Sequence, residues 1–360
     1  MLKILYIGLK YDYGIPSLGY SFEYMNIYDT MVHMNGVEVS IFPFDEVMRK
    51  VGRAKMNDQL LHAVDKTEPD LCFFVLFTDE ITKSTIKKIS ERGNLITMNW
   101  FGDDHWRFES FSRMWAPLFN WIVTTDGDSC EKYRELGIKN VILSQWGFNH
   151  HFYQPAVLPY EYDVTFIGQV HSRRAKFIRS LQRCGVNVSC WGKGWPNGRT
   201  DQNEMIKLYS QSRINLNFTD SSPSFRLRPL LKTFITRRAD DTFRINTFPE
   251  MKAHLITFFT PRRSQIKGRN FEITGAGGFL LTQYAPGLES YFQPDKEIAI
   301  FYEAEDLIEK IRFYLLHEEI RENIRQMGHK RAIREHTFEA RLASIFSSIG
   351  LRSEMNTPKE

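Results

Sequence analysis

The 360-residue chain lacks several common signatures, and each absence removes a class of function. Its four cysteines, Cys72, Cys130, Cys184 and Cys190, stand at neither metal-ligand nor Cys-x-x-Cys spacing. A disulfide scaffold and a zinc ribbon are therefore not expected, and reduced thiols in the cytoplasm are. No run approaches the ~18 apolar residues of a membrane-spanning helix. The opening MLKILYIGLKYDYG reads as too short an apolar stretch for a signal peptide. GxSxG, HExxH and P-loop patterns are missing, which argues against hydrolase, zinc-protease and NTPase chemistry. The first strand is not followed by GxGxxG, so a nicotinamide cofactor is not favoured. A net charge of only +4 is too mild to imply nucleic acid as a partner.

What is present fits a two-domain α/β protein. The length suits two domains, and an aromatic share of 14% suits large cores and stacking surfaces for sugars or bases. Residues 3–8 (KILYIG) are a short apolar run ending in glycine, as expected of a first buried parallel strand. A loop with Gly14, Pro16 and Gly19 leads into a helix over 20–34. Asn35-Gly36 stops that helix, and 37–42 is the second strand. Strands at 71–76, 95–100, 121–125 and 141–144 follow, separated by helices at 58–66, 81–92, 111–118 and 129–136. That alternation predicts a doubly wound parallel sheet. The texture turns linker-like over 149–160, then restarts with strands at 164–168, 186–191 and 214–218 and helices at 174–184 and 204–212. Helices over 304–316, 321–336 and 338–349 close the chain. We expect a first domain over 1–155, a second over 156–336, and a terminal helix and tail over 337–360. A ligand is expected in a cleft between the halves, at the carboxyl ends of the strands.

Residues 221–263 interrupt the second half. Arg226, Arg228, Lys232, Arg237, Arg238, Arg244, Lys252, Arg262 and Arg263 outnumber Asp240, Asp241 and Glu250. Apolar residues are interleaved with the early cations. Segment 225–263 is a candidate for peripheral contact with an anionic membrane, or for holding a phosphorylated acceptor. A solvated insertion with one packed face is the alternative.

The stretch Gln265–Tyr284, QIKGRNFEITGAGGFLLTQY, reads as a basic loop, a short helix, a glycine break and a buried strand. A nucleoside diphosphate suits it. Lys267 and Arg269 offer charge to phosphates, Glu272 a carboxylate to ribose hydroxyls, and Gly277 and Gly278 a backbone that a ligand can approach closely. An ordinary helix-to-strand junction is the alternative. Trp191-Gly192-Lys193-Gly194-Trp195 is a candidate border for a base, with core and turn packing as the alternative. Asp103, Asp104 and His105 follow a strand directly and could deprotonate an acceptor hydroxyl or bond a sugar. An N-cap at Asp103 or Asp104 is the alternative there. His150-His151 has the look of a metal pair, but adjacent residues rarely share a face. Hinge packing is expected instead, and no metal.

With these residues in view, the chain resembles the GT-B glycosyltransferases, and within them the spore-maturation CgeB-like branch. The carriers are MNWFGDDHWRF (98–108), SQWGFNHHF (144–152), QIKGRNFEITGAGGFLLTQY and REHTFEARL (334–342), with FIGQVHSRR and CWGKGWPNGR. The resemblance implies two Rossmann-like domains, with a nucleotide-sugar held mainly by the second. Glu272 matches a ribose-binding Glu of related retaining enzymes. Their second Glu, eight positions earlier, is Ser264 here, which leaves the sugar contacts and the stereochemical outcome open. Arg173 and Arg174, after Gly168, match a basic pair that holds the diphosphate. The implied activity is metal-independent transfer of a hexose-type sugar from a nucleotide-diphosphate donor to a hydroxyl acceptor, with no further cofactor. The acceptor would be a polysaccharide, glycoprotein or lipid-linked glycan, and the place the cytoplasm or the inner membrane face. A nucleotide-sugar epimerase and a non-catalytic coat or envelope assembly protein of the same fold are the alternatives.

Overall fold

The computed structural model describes residues 1–219, 233–260 and 263–351. Arg226, Arg228, Lys232 and Arg262, expected in the basic insertion, lie outside the described residues, as do Phe225, Leu227, Leu230 and Leu231. Two units are formed. The first comprises Met1–Gln145, Ser224–Pro261 and Arg341–Glu360, and the second Trp146–Pro223 and Arg262–Ala340.

In the first unit, β1 (Leu2–Gly8), β2 (Val37–Pro43), β3 (Leu71–Phe74), β4 (Ile96–Phe101), β5 (Trp121–Thr124) and β6 (Val141–Leu143) form a six-stranded sheet. Its order is β2-β1-β3-β4-β5-β6, and every pairing is parallel. β3 is buried along its whole length, which is why LCFF reads as a continuous apolar run rather than an alternating one. Helices cover the sheet: α1 (Asp29–His33), α2 (Phe44–Thr67), α3 (Lys83–Ser90), the short α4 (Asp104–Arg107) and α5 (Arg113–Trp115), and α6 (Gly127–Glu135). Ile7, Phe44, Leu60, Phe74, Ile86 and Tyr133 are in their common core. α2 starts at Phe44, well before the expected residue 58. Its Gly52 has φ 79, so the helix bends there and the 3.6-residue pattern is broken in the sequence.

The second unit holds a five-stranded parallel sheet of β7 (Tyr162–Ile167), β8 (Val188–Trp191), β9 (Ser212–Asn217), β12 (Leu280–Gln283) and β13 (Ala299–Phe301), in the order β13-β12-β9-β7-β8. Its helices are α7 (Ser172–Arg183), α8 (Gln202–Gln211), α10 (Gly268–Gly275), α11 (Ala304–Leu316) and α12 (Glu318–Glu335), and α13 (Phe338–Ser348) passes into the first unit from Arg341 on. Between them in sequence, β10 (Ile235–Arg237), β11 (Phe243–Ile245) and α9 (Phe248–Phe259) belong to the first unit. β13 is fully buried yet only three residues long, too short to show a period. Both units are thus Rossmann-like. The order reverses between β1 and β3 in the first sheet and between β7 and β9 in the second, the points where such sheets take ligands at the carboxyl ends of their strands. No helix among the described residues is long and apolar enough to cross a membrane.

Candidate functional site

In the second unit, buried polar side chains set the position of α10. Asn217 on β9 donates from Nδ2 to Asn270 Oδ1 on α10 and to Thr282 Oγ1 on β12 at 3.1 Å. The segment before α10 is tied to the end of β9, with Gln265 N donating to Thr219 O at 3.2 Å. Thr219 Oγ1 in turn donates to Tyr284 O at 2.9 Å. Lys267 is the N-cap residue of α10, so its charge adds to the partial positive charge of a helix N-terminus. Its Nζ donates to Gln265 Oε1 at 3.2 Å.

One turn into α10, Glu272 is only 1% exposed. Its Oε1 accepts the Tyr153 hydroxyl at 2.7 Å and its Oε2 accepts Arg269 Nη1. Arg269 Nη1 also donates to the Tyr209 hydroxyl at 2.9 Å. Burial opposes the charge on Arg269, but Glu272 and the two phenol oxygens outweigh it, and its pKa is raised. Burial, with Glu272 beside it, pushes the Tyr153 phenol well up. Each Glu272 oxygen keeps a second acceptor site, but at 1% exposure the carboxylate is closed off by its own partners. Tyr153 and Tyr209 had no signal in the sequence, since they lie 119 and 60 positions from their partners.

The second cationic set surrounds the β7–α7 turn. Gly168 N donates to Trp191 O at 2.8 Å, and Val170 N to Lys193 O at 3.0 Å. Trp195 Nε1 closes the turn on Gly168 O at 2.9 Å, so the tryptophan packs as turn and core. Lys193 and Arg173 are exposed. Arg174 instead turns inward, donating to Gln169 O at 3.1 Å and Phe218 O at 3.4 Å. Because Phe218 precedes Thr219, the α7 and α10 sets converge on the carboxyl ends of β7 and β9.

Gly277 and Gly278 do not join them. They follow the far end of α10, about 12 Å along the helix from Lys267. A Cβ on Gly277 would lie 3.0 Å from Pro155, and one on Gly278 2.8 Å from Asn215 Nδ2. Expected against a ligand, both lie against protein. Gly277 has φ 72 and reverses the chain, and Gly278 N bonds back to Ile273 O at 2.8 Å, as at many helix ends.

In the first unit, Asp104 and Asp103 part company. Asp104 is 1% exposed, and its Oδ2 accepts Thr124 Oγ1 at 2.7 Å and the Tyr133 hydroxyl at 2.8 Å. Burial pushes this carboxyl up to about 7 against those hydrogen bonds. It ties β5 and α6 to α4. Asp103 holds the N-cap position of α4 without a side-chain capping bond. His105 is buried beside it. Asp103 acts on a residue that the sequence reading passed over, Glu23. Burial, with the charges of Asp103 and Asp12, pushes the Glu23 carboxyl up to about 7. Near it, tyrosine rings form a column: Tyr11 to Tyr20 at 5.7 Å, Tyr20 to Tyr24 at 4.9 Å, Tyr24 to Tyr28 at 4.9 Å, Tyr28 to Tyr6 at 5.5 Å. The four-residue spacing of Tyr20, Tyr24 and Tyr28 was visible in sequence as one helical face. Asp45 holds the loop by accepting Lys10 N at 3.0 Å and Tyr11 N at 3.1 Å.

His150 and His151 differ from expectation. Their ring centroids are 4.0 Å apart, and their Nε2 atoms lie 3.3 and 3.9 Å from Glu339 Oε2. Asn149 Oδ1 accepts His151 N at 3.0 Å, and this Asx turn brings adjacent side chains to one side. The three groups are partly solvated, and their ligand atoms lie within 4.8 Å of one another in the second unit.

Residues 173–234 and 242–347 match the family model described as glycosyl transferase-like. No curated protein matches the chain. Solved structures align along nearly all of it. HepE of Anabaena, in complex with UDP-glucose, has a TM-score of 0.62 at 11% identity, covering 97% of this chain and 100% of that one. Sucrose-phosphate synthase of Thermosynechococcus elongatus gives 0.61 at 10% identity, with 97% and 99% covered. A DNA-modifying β-glucosyltransferase, studied with and without uridine diphosphoglucose, gives 0.56 at 14% identity, with 96% and 99% covered. These likenesses show the fold, which is GT-B.

Proposed function

We propose that this GT-B glycosyltransferase moves a hexose from a UDP-linked donor to a hydroxyl of a polysaccharide, glycoprotein or lipid-linked glycan, without a metal, as a member of the CgeB-like branch. The supporting observation is the convergence of Arg173, Lys267 and Arg269 on two helix N-termini at the order reversal of the second sheet, inside the region that matches the glycosyl transferase-like family. Two of the structural relatives carry UDP-glucose in their descriptions, which favours uridine as the base. We place the reaction in the cytoplasm, where four free cysteines are at home.

In the reaction the acceptor O–H loses its proton as its oxygen bonds the anomeric carbon. The bond from that carbon to the phosphate oxygen breaks, and its electron pair leaves on UDP. Arg173, Lys267 and Arg269 meet the growing negative charge with groups already in place. A general base takes the proton.

Calorimetry of the full chain against UDP-, GDP-, dTDP- and CMP-linked sugars tests this reading. UDP-sugars are expected to bind tightest, and Glu272→Ala to weaken them about tenfold or more, as loss of a charged hydrogen bond does. Binding of none of the panel would overturn the donor assignment. An unchanged affinity in Glu272→Ala would remove the ribose role. Epimerised sugar released in the absence of acceptor would transfer the case to a nucleotide-sugar epimerase.

A further inference from the structure

Residues 233–259 of the first unit carry two exposed apolar surfaces. β10 and β11 pair antiparallel with Ile235 opposite Ile245 and Arg237 opposite Phe243. Residues two apart share a face of a strand, so Ile235, Ile245 and Phe243 stand together, with Phe243 71% and Ile245 78% exposed. In α9 the exposed apolar residues are Phe248, Leu255, Ile256 and Phe259, at i, i+7, i+8 and i+11. That is one helical stripe, and exposed Lys252 at i+4 lies in it. Ala253, between the stripe's positions in sequence, is buried on the opposite side.

The element is held in place from its polar side. Arg244 grips Glu250 with two hydrogen bonds of 2.7 and 2.8 Å, and Thr247 and Glu250 form a capping box at the start of α9. Asn246 N donates to Phe234 O at 2.8 Å. Asp79, on the loop after β3, accepts Ala239 N at 3.0 Å and pairs with Arg53. The apolar side chains are therefore displayed by an ordered scaffold.

Charge selects the occupant. The chain has a net charge of +4, yet residues 221–263 alone carry nine Lys and Arg against three Asp and Glu. The surplus positive charge is thus confined to this segment, and the rest of the chain is slightly acidic. Two pairs within it, Arg244 with Glu250 and Arg237 with Asp241, are each net neutral, so the surplus rests on the remaining Lys and Arg. Among the described residues, exposed Lys252 lies in the α9 stripe and Arg237 stands opposite Phe243 on the hairpin; large apolar side chains set beside cations fit an anionic lipid surface, into which the rings insert while the cations meet the headgroups.

We infer that the β10–β11 hairpin face and the α9 stripe dock this protein on anionic phospholipid. The surface is independent of the donor groups and stands whether or not the donor carries uridine. With respect to the proposed function, it selects a lipid-linked or membrane-borne acceptor over a freely soluble one.

The test is flotation of the full chain with vesicles of phosphatidylcholine, alone or mixed with phosphatidylglycerol. The protein is expected to float with the anionic vesicles only, and less as salt rises. Phe243→Ser with Ile245→Ser, and separately Phe248→Ser with Phe259→Ser, should each lower vesicle partitioning about tenfold or more. UDP-glucose affinity should be unchanged in both, which certifies the fold and separates failure here from failure of the donor reading. Wild-type protein that stays with the neutral fraction, or variants that float as well as wild type, would overturn the inference. A concentration-dependent dimer abolished by the same substitutions would also overturn it, since the faces would then be covered by a second copy.

Discussion

Two carboxyls in the first unit, Asp104 and Glu23, are each raised to about 7, chiefly by burial. The folded state binds their protons more tightly than the unfolded chain, so their contribution to stability is complete below about pH 4 and is lost as pH rises towards 7. Asn at position 104 can still accept from Thr124 and Tyr133 but cannot ionise. Asp104→Asn is therefore expected to flatten the dependence of urea midpoint on pH between 5 and 8, with its relative gain at the alkaline end. A variant as pH-dependent as wild type would show that Asp104 is not the titrating group. Glu23→Gln likewise removes an ionisable carboxyl and should flatten the same pH dependence of the urea midpoint. In the second unit, Tyr153→Phe withdraws one of the two donors to a buried carboxylate. It should cost about 1–3 kcal/mol by denaturant melts.

The α10 segment shows how much a motif states and how much it withholds. Lys267, Arg269 and Glu272 could be read as a polar group because they are close in sequence. Their separation from Gly277 and Gly278 could not, because a helix places what lies between them. The glycines serve packing. A Cβ on Gly275 would sit 2.3 Å from Phe148 Cδ2, and Phe148 is fully buried. Gly275→Ala should accordingly destabilise by about 1–3 kcal/mol, the range for overpacking a dense core, and equilibrium unfolding in urea would measure it. Alternating apolar and helical patterns made most strands of both sheets legible, to within two residues. β13 and the β10–β11 hairpin were not, because three residues are too few to show a period. α2 was half seen because Gly52 breaks its period.

At the scale of the molecule, two Rossmann-like units and a GT-B assignment followed from pattern and resemblance, since periodicity survives substitutions that erase identity. The partners that hold Glu272 and the acids around Glu23 did not follow, because they arise from long-range closure. If UDP binds the second unit as proposed, a hundredfold excess over Kd adds about 2.7 kcal/mol of stability. A calorimetric scan with and without UDP should show a rise of several degrees, and no rise would contradict a donor site in the native chain.

The six strands of the first sheet are complete by residue 143, but the first unit also needs Ser224–Pro261 and Arg341–Glu360. α9 packs on the turn Phe108–Ser112, and Asp79 waits for Ala239. On a ribosome adding 5–20 residues per second, the last of these segments follows the sheet by roughly 10–40 s. During that interval a nascent sheet stands with its closing pieces unmade, and apolar surface that the finished protein covers is open to chaperones. A translational pause or a premature stop after residue 145 would prolong that exposure, so the order of the segments makes folding yield sensitive to the tempo of synthesis.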